Sequence, residues 1–228
     1  MGHLLDTYGH QLVSAFWTTI QLTFWAAIGS LVWGTLLAAM RVSPVPILRG
    51  FATAYVNIVR NTPLTLIVIF ASVGLYQNLG VAFAPAGDPA FIDHNNFRLA
   101  VLAFIVYTSA FVCESLRSGI NTVPVGQAEA SRSLGLTFSQ GIRLVVLPQA
   151  FRAVIAPLGS VLIALTKNTT IASVIGVAEA SLLMKTMIEN EADQLFVVFA
   201  IFAIGFMVLT LPVGFLFGYL GKRMAVKR

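Results

Sequence analysis

Charge is the scarcest property of this sequence. Charged residues make up only 10% of the chain and apolar types 57%, whereas a soluble domain carries about 25% charged residues. Too few charges are available to cover the surface of a soluble domain of 228 residues. The composition therefore excludes an ordinary soluble domain and indicates a chain that is embedded in lipid.

Cysteine and a basic N-terminus are also lacking. The single cysteine, Cys113, lies in an apolar run, so we predict a buried small side chain and no disulfide. The first ten residues lack the basic start of a signal peptide. We therefore expect the first apolar segment to be retained as a membrane span.

Long uncharged runs stand where a soluble chain would have charges. The segments 7–40, 61–87 and 194–221 contain no charged residue, and each exceeds the roughly 20 residues that cross a bilayer as a helix. Two further apolar runs are less clean, and one of them contains Lys167. The runs predict an all-α membrane protein that forms one domain, 1–228, with five transmembrane helices near 14–40, 60–80, 97–117, 153–177 and 194–220.

Basic residues mark one side of the predicted bilayer. The connections 41–60 and 117–152 and the C-terminal tail carry eleven of the fourteen lysines and arginines, and such an excess is typical of cytoplasmic segments. Most of the charged residues in the segments 81–97 and 178–194 are acidic. We therefore expect the N-terminus outside and the C-terminus in the cytoplasm. Because no aromatic residues interleave the basic ones, we predict no nucleic-acid surface.

The longest predicted cytoplasmic connection, 121–152, has helix signals of its own. Thr122 can cap a helix that has a proline in its first turn, and Gly135 suits a left-handed helix end. Thr137 and Gln140 have the spacing of a capping box for a second short helix. The residues predict either a compact cytoplasmic knob, at right angles to the spans, or an amphipathic pair that lies on the lipid headgroups.

The same connection carries a spaced motif. It reads Glu-Ala-Ser, three residues, Gly, nine residues, Val, one residue, Leu-Pro, and it resembles the EAA loop of ABC importer permeases. Serine for alanine and valine for isoleucine are small steric departures from the family's pattern. The resemblance implies that this loop docks on a cytoplasmic ATPase through Glu129, Ala130, Ser131, Gly135, Leu147 and Pro148.

Three more segments extend the resemblance to about two thirds of the chain. "YVNIVRNTPLTL" (55–66), "YTSAFVCESLRSGI" (107–120) and "ALTKNTTIASVIG" (164–176) resemble spans of polar amino acid permeases, and the whole is most similar to the glutamate-type members. The resemblance implies the type I ABC importer permease fold in the bacterial cytoplasmic membrane. It also implies a second permease chain, identical or homologous, two ATPase subunits and an extracytoplasmic substrate-binding protein.

The chain has no Gly-x-x-x-x-Gly-Lys-Ser/Thr loop to hold phosphates. The resemblance accordingly implies a transporter subunit that binds no cofactor, with ATP and Mg²⁺ held by the partner ATPase. An intramembrane enzyme is disfavoured because the predicted spans hold no Asp pair, and His3, His10 and His94 lie outside them. A passive oligomeric channel, or a permease for another class of amino acid, is the alternative.

The fourth predicted span carries Lys167 near its middle, where an ammonium costs roughly 2.5–3.5 kcal/mol on insertion scales. Hydroxyl side chains recur beside it at helical spacing and form one polar stripe at Thr166, Thr169, Thr170 and Ser173. No acidic residue lies in the span, which favours an acidic or amide amino acid as substrate. We predict that its carboxylate is held by Lys167, Asn168, Thr169 and Thr170.

Structural interpretations compete with this one. Lys167 could lie beyond the end of the span and extend to the outer interface, or it could pair with Glu114 or Glu179. The hydroxyls of the stripe could serve to join helices. Pro157 and Gly159 could kink the span and expose backbone beside a cavity.

The mouth of the second span offers a further candidate site. Arg60, Asn61 and Thr62 could contact substrate, although they could equally cap the helix and orient it. Glu114 and Arg117 lie three residues apart near the cytoplasmic end of the third span, and this spacing predicts an ion pair.

Overall fold

The computed structural model describes residues 2–224, and these residues form helices without any strand. The all-α prediction is confirmed. Lys227 and Arg228, the end of the predicted cytoplasmic tail, lie outside the described residues. Four stretches of helix are long and apolar enough to cross a membrane, and a bent pair of helices supplies a fifth. The four are Asp6–Val42, Phe91–Asn121, Arg143–Ile175 and Ala192–Met224.

The second span differs from the prediction because it is a bent pair of helices, the first of which begins well before residue 60. Helix α1 (Gly2–Val42) is followed by α2 (Pro46–Arg60) and then by α3 (Leu64–Ile69), which continues as the π-helix Phe70–Asn78. The axis turns by 104° between α2 and the helix that follows. Pro63, which has no N–H to extend α2, stands at the turn.

Helix α2 is amphipathic and lies against the other spans. Its buried residues, Ala52, Val56 and Val59, recur at helical spacing. They pack in one cluster with residues of α1 and of α4 (Phe91–Asn121). The hydroxyl of Tyr55 donates to the carbonyl oxygen of Val106 at 2.9 Å and ties α2 to the middle of α4.

The connection 121–152 contains one separate short helix, α5 (Val125–Ser133). Gly135 follows it with a φ of +82°, the left-handed conformation that was predicted. Thr122 does not cap α5, because its hydroxyl donates to the carbonyl oxygen of Gly119 at 2.7 Å and ends α4. Pro124 occupies the capping position instead.

The second short helix is the start of the fourth span. The amide N–H of Thr137 donates to Gln140 Oε1 at 2.9 Å, and that of Gln140 donates to Thr137 Oγ1 at 3.3 Å, as the capping box predicted. The helix they cap, α6 (Phe138–Gly141), continues through the π-helix Ile142–Val146 into α7 (Leu147–Asn168). Motion of the connection is therefore passed directly to the fourth span.

The C-terminal end of the fourth span is a tighter helix. A 3₁₀ segment, Thr169–Ile175, follows α7, and Gly176 ends it with a φ of +80°. Next come α8 (Ala180–Asn190), a 3₁₀ turn (Ala192–Gln194) and α9 (Leu195–Met224). Gly159 packs α7 closely on α9, since a Cβ there would lie 2.6 Å from Phe217 Cγ. It therefore serves helix packing and does not expose backbone.

Helix α4 lies at the centre of the molecule. It packs against α1 and α7, and also against α2 and α3. Its fully buried residues include Leu99, Ala100 and Phe104, which form one cluster with Leu165 of α7. The space between α4 and α7 is therefore bounded by the central helix and by the helix that carries Lys167 and Asn168.

Candidate functional site

The threonines of the predicted stripe are used within their own helix. Thr166 and Thr169 are buried, and their hydroxyls donate to the carbonyl oxygens of Leu162 at 3.0 Å and of Thr166 at 2.7 Å. The hydroxyl of Thr170 donates to the carbonyl oxygen of Lys167 at 2.8 Å. These hydroxyls form their hydrogen bonds with backbone carbonyls of their own helix, so the stripe contributes mainly to helix packing.

Lys167 and Asn168 differ from their neighbours because their polar groups are free. Lys167 is exposed and Asn168 is half-buried. Neither side chain makes a hydrogen bond or ion pair with any other part of residues 2–224. Lys167 does not pair with Glu114 or with Glu179, because the former binds arginines and the latter caps α8.

A cavity of about 250 Å³ lies between α4 and α7, next to Asn168. Its lining from α4 includes Tyr107 and Thr108, whose hydroxyls have no hydrogen-bond partner in the described part of the chain. Carbon atoms supply much of the remaining wall. The full lining is Tyr107, Thr108, Phe111, Ser160, Val161, Ala164, Leu165 and Asn168.

Sequence reasoning missed the contribution of α4 to this cavity. Tyr107 and Thr108 stand in an otherwise apolar run, and that polarity was the available signal. The cavity combines a half-buried amide and two free hydroxyls, with the ammonium of Lys167 on the residue next to Asn168. Such a set of donors can bind a carboxylate.

The candidates at the mouth of the second span have mostly local partners. Asn61 Nδ2 donates to the carbonyl oxygen of Asn57 at 2.7 Å, and the hydroxyl of Thr62 donates to that of Ile58 at 2.9 Å. Both side chains therefore bind backbone carbonyls in the last turn of α2. Arg60 reaches the cavity only at its edge, where the guanidinium lies 5.7 Å from the ring centroid of Phe111.

The ion pair predicted between Glu114 and Arg117 is wrong. Glu114 Oε1 accepts a hydrogen bond from Arg41 Nη1, at the end of α1, and its Oε2 lies 3.7 Å from Arg60 Nη1. Arg117 makes no ion pair among residues 2–224. Glu114 therefore pairs with arginines of α1 and α2, which the fold brings close, and not with its helix neighbour Arg117.

The residues predicted to dock on an ATPase lie in the segment 129–148, named the coupling loop below, and they divide between the surface and the interior. Glu129, Ala130, Gly135, Leu147 and Pro148 are exposed. Ser131 is buried and lies close to Gly141, where an added Cβ would come within 2.8 Å of Ser131 Oγ. Ser131 therefore holds α5 against α6, and the surface of the loop is presented by its neighbours.

A buried carboxyl lies beyond the C-terminal end of the fourth span. Glu179 is fully buried and caps α8, accepting hydrogen bonds from the amide N–H groups of Ser181 at 2.8 Å and Leu182 at 3.0 Å. Burial raises the pKa of its carboxyl to about 7, although these hydrogen bonds act in the opposite direction. Nearby, Asp88 binds His94 Nδ1 at 2.5 Å, and this hydrogen bond lowers the pKa of Asp88.

Known proteins resemble the chain over its whole length. It is 66% identical, over 100% of both chains, to the glutamate transport system permease protein GluC of Corynebacterium efficiens. It is 35% identical to the probable glutamine ABC transporter permease protein GlnM of Bacillus subtilis, over 97% of this chain and 96% of that one. A solved amino acid ABC transporter with histidines matches with a TM-score of 0.83 and 30% identity, over 96% of each chain.

Residues 30–226 match the family described as binding-protein-dependent transport system inner membrane component. The match includes the coupling loop, both helices that enclose the cavity and the last span. The chain belongs to this family, and it is a multi-pass membrane permease subunit of an ABC importer.

Proposed function

We propose that this permease carries glutamate and that the cavity between α4 and α7 contacts the substrate. The observation that carries the proposal is the set of free polar groups that line the cavity, on Tyr107, Thr108 and Asn168, with Lys167 next to Asn168 along the chain. The name of the Corynebacterium efficiens relative, identical at 66% of positions, supports the choice of glutamate. Other amino acids with a side-chain carboxylate or amide are the nearest alternatives.

The chemistry of the cavity suits an anionic substrate. No carboxylate lines it, so a cationic amino acid would find no counter-charge there. A substrate carboxylate could take a charge-assisted hydrogen bond from Lys167, which is worth about 1.5–3 kcal/mol. Asn168 and the hydroxyl of Thr108 could supply neutral hydrogen bonds that orient it. Thr169 and Thr170 contribute less, since their hydroxyls are engaged.

A second permease chain would complete the path. Asn168 lines the same cavity as Thr108, a residue near the middle of α4, which supports a position of Lys167 near mid-span depth. An ammonium at that depth is costly in lipid, which supports covering this face with another permease chain and water. The partner chain can be a second copy or a homologue.

The remaining partners would act at the two ends. With the N-terminus outside, the acidic segments 81–97 and 178–194 would receive the substrate-binding protein. The coupling loop would dock on an ATPase through Glu129, Ala130 and Gly135, with Leu147 and Pro148 at the start of the fourth span. Two ATPase subunits, which bind ATP and Mg²⁺, would then move two permease chains together.

Transport by the reconstituted importer tests the proposal. The permease and its ATPase are reconstituted in proteoliposomes, and the substrate-binding protein is added on the opposite side of the membrane from the ATPase. Labelled glutamate should be taken up only when ATP is present on the side of the ATPase. Unlabelled glutamate should compete better than glutamine, and arginine should not compete. Uptake of arginine in preference to glutamate, or uptake without ATP, would overturn the proposal.

A further inference from the structure

One carboxylate joins three helices on the cytoplasmic side of the cavity. Glu114 of α4 uses Oε1 for Arg41, the second-last residue of α1, and Oε2 faces Arg60, the last residue of α2. The side chain of Arg41 is only 9% exposed, and a buried guanidinium requires such a counter-charge. Glu114 thereby fixes the ends of α1 and α2 on α4.

The same carboxylate controls the approach of Arg60 to the cavity. Arg60 lies over the ring of Phe111, which lines the cavity and packs against Tyr107 with ring centroids 5.0 Å apart and planes tilted by 51°. Two guanidiniums share one carboxylate, so the cluster keeps a net positive charge at the cavity edge. An anionic substrate would be attracted to that edge, and Glu114 limits how far Arg60 can move toward it.

Glu114 also lies between the cavity and the coupling loop along one continuous helix. Helix α4 runs from the cavity residues through Glu114 to Asn121, and α5 begins at Val125. A displacement of α5 by the ATPase is therefore carried by α4 past Glu114. Because the carboxylate also holds Arg60 at the 104° turn before α3, the second span moves with it.

We propose that Glu114 is a positioning residue for transport: by pairing with Arg60 it holds that cation beside Phe111, and it links movement of the coupling loop to the charge at the cavity edge. The inference rests on the proposed function of the cavity. Loss of the pair releases Arg60 toward the bound anion. Glutamate then binds more tightly and leaves more slowly.

A mutant cycle in the reconstituted full importer tests this role. Glu114→Gln should lower both the KM and the maximal rate of glutamate uptake by about fivefold, the size expected for coupling between neighbouring side chains. It should also strengthen the preference for glutamate over glutamine. In an Arg60→Ala background, Glu114→Gln should leave the KM unchanged, because the cation through which it acts is gone. Arg117→Ala, which removes an exposed cation one turn along α4, serves as the control with wild-type kinetics.

The mutant cycle distinguishes a positioning role of Glu114 from a packing role. Additive effects of Glu114→Gln and Arg60→Ala, with an unchanged preference for glutamate, would overturn the proposal and leave Glu114 a packing residue. If Glu114→Gln does not reach the membrane, Glu114→Asp keeps the charge and should retain wild-type preference with a reduced rate. Asn168→Ala separates the two proposals: an unchanged KM in that variant contradicts the cavity itself, whereas a raised KM with additive Glu114 effects contradicts only the role of Glu114.

Discussion

The amide N–H of Ala180 donates to the hydroxyl oxygen of Thr19 at 3.2 Å and joins the first turn of α8 to α1. Glu179 precedes this contact and is fully buried. The segment that follows the fourth span is therefore fixed to the first span at a point where a titratable carboxyl is enclosed. Protonation of that carboxyl should influence how firmly the segment is held.

Stability should depend on pH through Glu179. Its folded-state pKa, about 7, lies above its ordinary value of 4.5, so its contribution to stability is fully present below pH 4.5 and is lost as pH rises through 7. Glu179→Gln removes this dependence. Thermal unfolding in nanodiscs should show the wild type losing about 3 °C relative to the variant between pH 5 and pH 8. A constant difference across that range would contradict the buried ionisation.

Replacement of Lys167 should impair transport without impairing assembly. Lys167→Ala loses a charge-assisted hydrogen bond, which corresponds to about ten- to a hundredfold in apparent affinity for glutamate. Lys167→Arg keeps the charge with altered geometry and should retain part of the activity. Asn168→Asp places an anion at the cavity and should reduce competition by glutamate more than competition by glutamine. An unchanged order of competitors in all three variants would place substrate recognition elsewhere.

Two threonines form a matched pair for testing the cavity. Thr108→Val removes a free hydroxyl from the cavity wall and should raise the KM for glutamate about two- to tenfold, as expected for one neutral hydrogen bond. Thr169→Val removes a hydroxyl that bonds within its own helix and should leave the KM unchanged. Uptake kinetics at equal membrane abundance compare the two variants, and equal effects on the KM would contradict the assignment.

The coupling loop should fail when its exposed surface or its turn is changed. Glu129→Lys reverses an exposed charge, and Gly135→Asp puts a side chain at a φ of +82°, which L residues rarely adopt. Both variants should insert in the membrane but lose ATP-driven uptake. Copurification with the ATPase measures docking directly, and normal copurification and uptake by both variants would exclude this loop as the coupling surface.

The orientation of the chain can be tested by cysteine labelling. Cys113 is buried and free, so Cys113→Ala provides a background without a reactive thiol. In that background Gly87→Cys should react with an impermeant maleimide in intact cells, whereas Ser133→Cys should react only after permeabilisation. The reverse pattern would invert the topology and move the proposed docking surfaces to opposite sides.

Local signals in the sequence predicted local structure well. The capping box of Thr137 and Gln140 and the left-handed Gly135 depend on residues a few positions apart, and the structure contains both. Helix α2 was missed, although Pro46 and the spacing of Ala52, Val56 and Val59 signalled an amphipathic helix. Because this segment carries basic residues and lies between two apolar runs, it was interpreted as a connection without a helix of its own.

The candidate site depended on contacts between distant segments, which the sequence could not supply. Periodicity places Thr166 and Thr169 on one face, but only coordinates show that their hydroxyls turn back to their own helix. The spacing of Glu114 and Arg117 predicted a pair that the fold replaces with Arg41 and Arg60. The contribution of Thr108 required knowing which spans are neighbours.

Helix α1 has 41 residues and is about 60 Å long, twice the thickness of the roughly 30 Å hydrocarbon core. One part of it must therefore project beyond the lipid. Its N-terminal end is held by α8, where Asn190 Nδ2 donates to the Tyr8 hydroxyl at 3.3 Å, and its C-terminal end carries Arg41. A rod of this length moves its two ends apart laterally by about 10 Å for each tilt of about 10°. The first span can thus act as a rigid rod that passes a displacement on one side of the membrane to the other side.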